Sequence, residues 1–302
     1  MNQQNSLEIP LVFDCMGSQL VGMLHKSRAS DKSSSLGILI VVGGPQYRVG
    51  SHRQFVLLAR SLADDGFPVM RFDYRGMGDS EGATRKFSAV DEDIKSAIDN
   101  FYQQCPDLSG VVIWGLCDAA SAALFYAYQD NQIKGLVLLN PWVFTEQGAA
   151  KTYLKHYYRE RLFSPDLWKK IATLKFDYHQ SFKSLFSFLN KLIHSKLHTK
   201  EVNKEKGESI LVDSNLPLPD RMRECLSRFK NPVQFILSGR DLTADEFREA
   251  VNSDKGWGEL FSSRAIDVIE VPEADHTFSS EVLRNKVAEI TLNFMQSIAR
   301  PG

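Results

Sequence analysis

No stretch of this chain stays apolar long enough to cross a bilayer. A spanning helix needs roughly 18 or more such residues, and the longest run, Leu36 to Gly44, is strand-sized. The opening MNQQNSLEIP is polar and lacks a basic segment followed by an apolar one, so no secretory leader is expected. Cysteine is scarce. Cys15, Cys105, Cys117 and Cys225 lie far apart, with no C-x-x-C and no Cys/His pair at ligand spacing. A disulfide framework is not expected in a chain this long with an ample core, and neither a metal nor a cofactor is implied. An excess of one charge is missing too. Against 36 Lys and Arg stand 37 Asp and Glu, a net −1 over 302 residues, so no nucleic-acid partner is expected. Internal repeats and low-complexity tracts are absent. Gly76-Met-Gly78 lacks the third glycine and the helix context of a dinucleotide cradle.

What is present is an ordinary globular composition, 43% hydrophobic and 24% charged, which excludes disorder and coiled coil as dominant states. Residues 8–25 read as two short strands around Cys15-Met-Gly-Ser18. Leu36–Val42 is apolar throughout, the pattern of a parallel strand buried on both faces. Helix Phe55–Asp65, strand Pro68–Phe72, helix Val90–Gln104, strand Gly110–Trp114, helix Ala119–Tyr128 and strand Lys134–Asn140 follow in alternation. Such alternation predicts an α/β fold with a mostly parallel central sheet flanked by helices. It stops near residue 143 and resumes at Pro232 with strand Pro232–Ser238, helix Thr243–Val251, strand Ala265–Val271 and a closing helix Ser279–Ala299. In the closing helix Val282, Val287, Ile290, Phe294 and Ile298 are expected to face inward. The chain is thus divided into a core, 1–142 and 229–302, and a helical insertion, 143–228. Within the insertion Phe182, Leu185, Phe186, Leu189, Leu192, Ile193 and Leu197 form one apolar stripe. From Lys151 to Lys206 there are 13 Lys and Arg against 5 Asp and Glu.

The strongest chemical signal is Val111-Val-Ile-Trp-Gly-Leu-Cys117-Asp-Ala-Ala120. A buried strand runs into a tight turn and then into a helix of small residues, the setting in which a G-x-S-x-G elbow has meaning. Positions two before and two after the nucleophile must be small, and Gly115 and Ala119 are. Cysteine stands where serine is usual. The replacement is chemically coherent, because a helix N-terminus and a neighbouring imidazole both favour a thiolate, the nucleophilic form. The plain alternative is a strand–helix junction with a buried thiol.

Two later motifs support the catalytic reading. His276, in Pro272-Glu-Ala-Asp-His-Thr-Phe278, sits past a strand end, where ligands bind in open parallel sheets. His25, His52, His156, His179, His194 and His198 have no such placing. Asp241 ends Ser238-Gly-Arg-Asp241 just past another strand. There it can orient an imidazole, or it can simply cap the next helix. Asp245 and Asp275 are less well placed. The chain order nucleophile 117, acid 241, base 276 is that of α/β-hydrolases, and residues 8–299 resemble that superfamily. Asp73-Tyr-Arg-Gly-Met-Gly-Asp-Ser80 is similar to its D-x-R-G-x-G-x-S turn, and the insertion falls where such enzymes carry a cap. Gly43-Gly-Pro-Gln-Tyr-Arg-Val-Gly-Ser-His-Arg-Gln-Phe55, Gly-Leu-Cys-Asp-Ala and Ile236-Leu-Ser-Gly-Arg-Asp-Leu-Thr243 further resemble the exosortase A system-associated hydrolases. That resemblance implies a cytoplasmic protein of a Gram-negative bacterium, linked to exopolysaccharide, and leaves the substrate open.

An acyl-transfer site needs two donors aimed at the developing oxyanion. The backbone N–H of Asp118 is one. Pro45 has no N–H, so Gln46 is expected to supply the other. Gly44, Arg48, His52 and Trp142 are expected near the substrate. The expected activity is ester or thioester hydrolysis through a Cys117 acyl-enzyme, on a small-molecule or carrier-linked acyl substrate, by a monomer or homodimer. Acyl transfer to a sugar or other acceptor is the rival, by analogy with polyester synthases. A non-catalytic scaffold is the second rival. The basic insertion is a solvated face, or it meets an anionic substrate, carrier or membrane.

Overall fold

The computed structural model describes residues 6–27, 34–44, 46–144, 211–212, 214–263 and 266–299. The chain opens with a hairpin of β1 (Ser6–Cys15) and β2 (Ser18–Ser27), with Cys15 opposite Ser18. Its two turn residues, Met16 and Gly17, have φ of 53° and 79°, the left-handed pair that matches the twist of the flanking strands. Six further strands follow: β3 (Leu36–Val41), β4 (Val69–Phe72), β5 (Gly110–Leu116), β6 (Ile133–Leu139), β7 (Val233–Arg240) and β8 (Ile266–Asp275). The sheet runs β1-β2-β4-β3-β5-β6-β7-β8. β2 is antiparallel to β1 and β4, and all other neighbours are parallel.

Helices cover both faces. They are α1 (Gln54–Asp64), α2 (Asp91–Gln104), α3 (Asp118–Ala127), α4 (Leu218–Arg228), α5 (Leu242–Ser253), α6 (Lys255–Ser263) and α7 (Glu281–Ala299). The period of two in β3 feeds two cores. Leu39 and Val41 join Ile94, Ile98, Ile113 and Leu124 in one, while Ile38 and Ile40 join Phe55, Leu62, Trp114 and Phe294 in the other. All six residues of β3 and all seven of β5 are buried. Full burial of each large aliphatic contributes about 1.5–3 kcal/mol, so these two strands anchor the sheet centre and fix where their C-terminal ends lie.

The chain divides into two units, 1–143 with 212–302, and 144–211. The boundary expected at 228 is therefore corrected. α4 belongs to the first unit: Met222, Cys225 and Leu226 are buried in it, and the Arg221 guanidinium lies 3.8 Å from the centre of the Phe125 ring. The expected helices, apolar stripe and basic excess of 145–210 fall outside the described residues. Val282, expected inward, is 75% exposed. Leu283 takes its place on the inner face of α7, which also carries the expected Val287 and Phe294, with Thr291 and Met295, while the expected Ile290 and Ile298 pack half-buried against the same core. No helix among the described residues is long and apolar enough to cross a membrane.

Candidate active site

β5 delivers its last residues to the middle of the sheet edge, between β3 and β6. There the chain turns sharply. Cys117 has φ 63° and ψ −125° and stands at the N-terminus of α3. A cysteine in that region is strained, and the backbone around it holds the turn. Cys117 N–H donates to Leu139 O at 2.9 Å, and Cys117 O accepts from Ala120 N–H at 3.0 Å and Trp142 N–H at 3.2 Å. Gly115 cannot carry a side chain, because a Cβ there would stand 2.7 Å from the carbonyl of Ala119. Cys117 is half-buried, whereas Cys15, Cys105 and Cys225 are buried. Burial pushes those three thiols up, Cys225 to about 12.

His276 follows β8 directly. Its Nδ1 lies 2.9 Å from Oδ2 of Asp241, and the Cys117 thiol is near enough to act on the protonation of the ring. The bond to Asp241, and after it the contact with Cys117, raise the imidazole pKa to about 10. An imidazole held between a carboxylate and a thiol can take the thiol proton and keep it as imidazolium. Asp241 fills both roles open to it in the sequence. It caps α5, accepting from Thr243 N–H at 3.3 Å and Ala244 N–H at 3.1 Å, while its carboxylate also holds the imidazole. The two competing carboxylates are engaged elsewhere: Asp245 with Arg248 at 2.8 Å, and Asp275 with Ser279 and the N–H of Thr277.

Two positioning residues escaped the sequence reading. Asn140, fully buried with φ 42°, donates from Nδ2 to Ser238 Oγ at 2.8 Å and to His276 O at 3.1 Å. Its Oδ1 accepts from Ser238 N–H at 2.8 Å, and Ser238 Oγ donates to Asp275 O at 2.8 Å. This clamp ties the ends of β6, β7 and β8 together directly beneath His276. The only signal in the sequence is a polar residue closing the apolar runs Leu136–Leu139 and Phe235–Leu237.

The loop after β3 departs from expectation. Gln46 is not a free donor. Its N–H is bonded to Gly44 O at 2.8 Å, and its Oε1 accepts from Ser51 N–H at 3.2 Å. Gly44, with φ 63°, is the residue that meets the elbow: its N–H donates to Oδ1 of Asp118 at 2.7 Å. Arg48, expected near substrate, pairs with Asp73 and, at 2.7 Å, with Asp79. The reason is the D-x-R-G-x-G turn after β4. Buried Asp73 accepts from Arg48 N–H at 2.5 Å and Asp79 N–H at 3.1 Å, and it needs the cation. A side chain on Gly78 would collide with that carboxylate, its Cβ lying 2.3 Å from Oδ2. Arg75 of the same turn is locked onto Asp93 at 2.8 and 3.0 Å. His52 is exposed, in a short turn just before α1, and makes no described contact with Cys117 or His276. Trp142 adjoins the elbow through its main chain. Among the described residues, no group of three or more His, Cys, Asp or Glu side chains is placed to hold a metal ion.

Comparison with known proteins agrees with this architecture. In fold the chain is similar to the Pyrococcus furiosus esterase Pf2001 (15% identity, TM-score 0.62, 97% of this chain and 93% of that one). It is also similar to Est1E of Butyrivibrio proteoclasticus, solved with ferulic acid (14% identity, TM-score 0.59, 96% and 100%). By sequence it is 23% identical over 193 residues to an uncharacterised 31.7 kDa Escherichia coli protein of the traX-finO intergenic region. That match spans 61% of this chain and 65% of the relative's length. Residues 37–246 match the family described as serine aminopeptidase, S33. With the eight-stranded, mostly parallel sheet of its described residues, the chain belongs to that family of α/β-hydrolases.

Proposed function

We propose that this protein is an acyl hydrolase of the esterase or thioesterase type whose nucleophile is the Cys117 sulfur. One observation carries the reading. His276 has Asp241 2.9 Å from Nδ1 and the Cys117 thiol near enough to act on its protonation, at an elbow whose backbone is strained in the manner of a presented nucleophile. His276 takes the thiol proton, and Cys117 Sγ adds to the carbonyl carbon of an ester or thioester. The carbonyl electron pair moves onto oxygen. Collapse of that intermediate expels the alcohol or thiol, which leaves with the proton from His276, and an acyl-enzyme remains. Water then adds with His276 as base and releases the acid and the free thiol. The family's descriptive name specifies serine, and here sulfur takes its place. A thioester intermediate forms with less deprotonation work than an ester one.

Likeness to esterases of known structure supports the reaction class, and the resemblance to exosortase A system-associated hydrolases suggests an acyl group in exopolysaccharide metabolism. Under this reading the substrate is a small-molecule or carrier-linked acyl compound met in the cytoplasm. Intact-mass spectrometry after incubation with a panel of acyl esters and thioesters tests it. The expected result is an acyl adduct on Cys117 that does not form in His276→Ala. Absence of any adduct across the panel refutes the proposal. Release of the acid at a rate indifferent to added acceptor alcohols separates hydrolysis from acyl transfer.

A further inference from the structure

A backbone donor that a tetrahedral oxyanion would use is already bonded to an anion supplied by the chain. At an elbow of this kind one donor is the N–H of the residue after the nucleophile, and the other comes from the loop after β3. In that loop Gln46 N–H is taken by Gly44 O, and Pro45 has no N–H to give, which leaves Gly44. Oδ1 of Asp118 accepts from Gly44 N–H at 2.7 Å, and the first N–H groups of α3, its own and that of Ala119, favour the ionised form of the same carboxylate. The loop is shaped around it. A Cβ on Gly43 would stand 2.4 Å from Asp118 Oδ1 and 2.6 Å from Leu116 O, so only glycine lets the two segments close. An ionised carboxylate oxygen in such a cradle has the charge and the hydrogen-bonding geometry of an oxyanion.

We infer that the Asp118 side chain is a displaceable occupant of the oxyanion cradle, and that Cys117 is acylated only when this carboxylate turns out of it. The inference rests on Cys117 being the nucleophile. Rotation about the Asp118 side-chain bonds frees the Gly44 N–H and withdraws the negative charge from the cradle without moving the backbone. Burial works against the carboxylate, raising its pKa, while the three N–H groups and the charge of His276 favour it. Asp118 thereby acts as a specificity-determining residue. Small activated esters bring nothing to displace it. A substrate bound firmly through its remote parts has that binding energy available for the displacement.

Two reactions of Cys117 separate this idea from the one beneath it. Alkylation by iodoacetamide is a displacement at saturated carbon and forms no oxyanion, whereas acylation by p-nitrophenyl acetate forms one. Asp118→Ala is expected to raise the acylation rate about 10- to 100-fold more than the alkylation rate, the factor a charge-assisted hydrogen bond carries. Asp118→Asn, which keeps shape and loses charge, should fall between Asp118→Ala and the native chain. Dividing by alkylation removes any change in thiolate population, and a melting curve for each variant shows that it is folded. An acylation-to-alkylation ratio unchanged or lowered in both variants overturns the proposal and makes Asp118 a brace for the Gly43-Gly44 loop. Failure of native Cys117 to react with either reagent strikes the nucleophile assignment itself, and the occupant role falls with it.

Discussion

At Asp241 a single carboxylate serves two neighbours, and the two services respond differently to substitution. Capping of α5 needs only an oxygen acceptor, which asparagine also provides. Holding His276 as imidazolium needs the negative charge. Asp241→Asn is therefore expected to retain most of the helix-cap stability yet slow Cys117 acylation by two to four orders of magnitude, on the order of what the same change costs other oriented imidazoles. A burst assay beside a melting curve checks both halves. The pH dependence follows from the raised pKa of His276. A group raised in the folded state contributes stability that is fully present below its unfolded value, about 6.5, and is lost as pH rises through the folded value. The stability gap between native protein and Asp241→Asn, read by urea titration, should be widest near pH 6 and close toward pH 10. A gap that widens with pH would show that the pair is not an imidazolium–carboxylate.

Elements fix the site by where they stop. β5, β6, β7 and β8 are parallel neighbours, so their C-terminal ends share one edge, and Cys117, Asn140, Asp241 and His276 lie at or just beyond those ends. The Asn140–Ser238 clamp keeps the ends from fraying. Asn140→Ala leaves the N–H of Ser238 buried without its acceptor, a loss of about 1–3 kcal/mol. The same substitution also removes the donor to His276 O. We expect a lower melting temperature together with a fall in kcat at unchanged KM, since the imidazole drifts while substrate contacts stay. An unchanged kcat with the stability loss intact would confine the clamp to holding the sheet. Gly115, Gly43 and Gly78 belong to this scale as well. At Gly115 and Gly43 an added methyl group would meet an atom of another segment within 2.7 Å, and at Gly78 it would meet the Asp73 carboxylate of its own turn, so these glycines are set by how closely the chain packs there.

On the scale of the whole molecule, the boundary of the insertion has consequences for truncation. α4 lies outside unit 144–211 and buries Met222, Cys225 and Leu226 in the same core as α3. Replacing 144–211 by a short flexible linker is expected to leave a core that melts cooperatively. Extending the deletion through 228 strips three buried side chains from that core, at about 1.5–3 kcal/mol for each large one, and should yield a protein without a cooperative transition. Calorimetry of the two deletions decides it, and equal behaviour would place α4 outside the core.

Much of this was legible along the chain, because the relevant physics is local. Runs such as Leu36–Val41 and Gly110–Leu116 can be buried only as central strands, and the small residues flanking Cys117 mark a turn that tolerates nothing larger. The order of Cys117, Asp241 and His276, each past a strand end, brought the fold and three candidate residues within reach. Other features depended on distant segments. Whether Gln46 or Gly44 offers its N–H is decided by how a loop folds back on itself and on Asp118, 74 positions away. Arg48 is claimed by Asp73, and His276 is held by Asn140, 136 positions upstream. The boundary of the insertion follows from what α4 packs against, which its amphipathic pattern does not specify. Periodicity and residue size act between near neighbours and so are written in the sequence by itself. The choice of partner for a buried polar group is made only when the whole chain has closed around it, and that choice belonged to the tertiary structure.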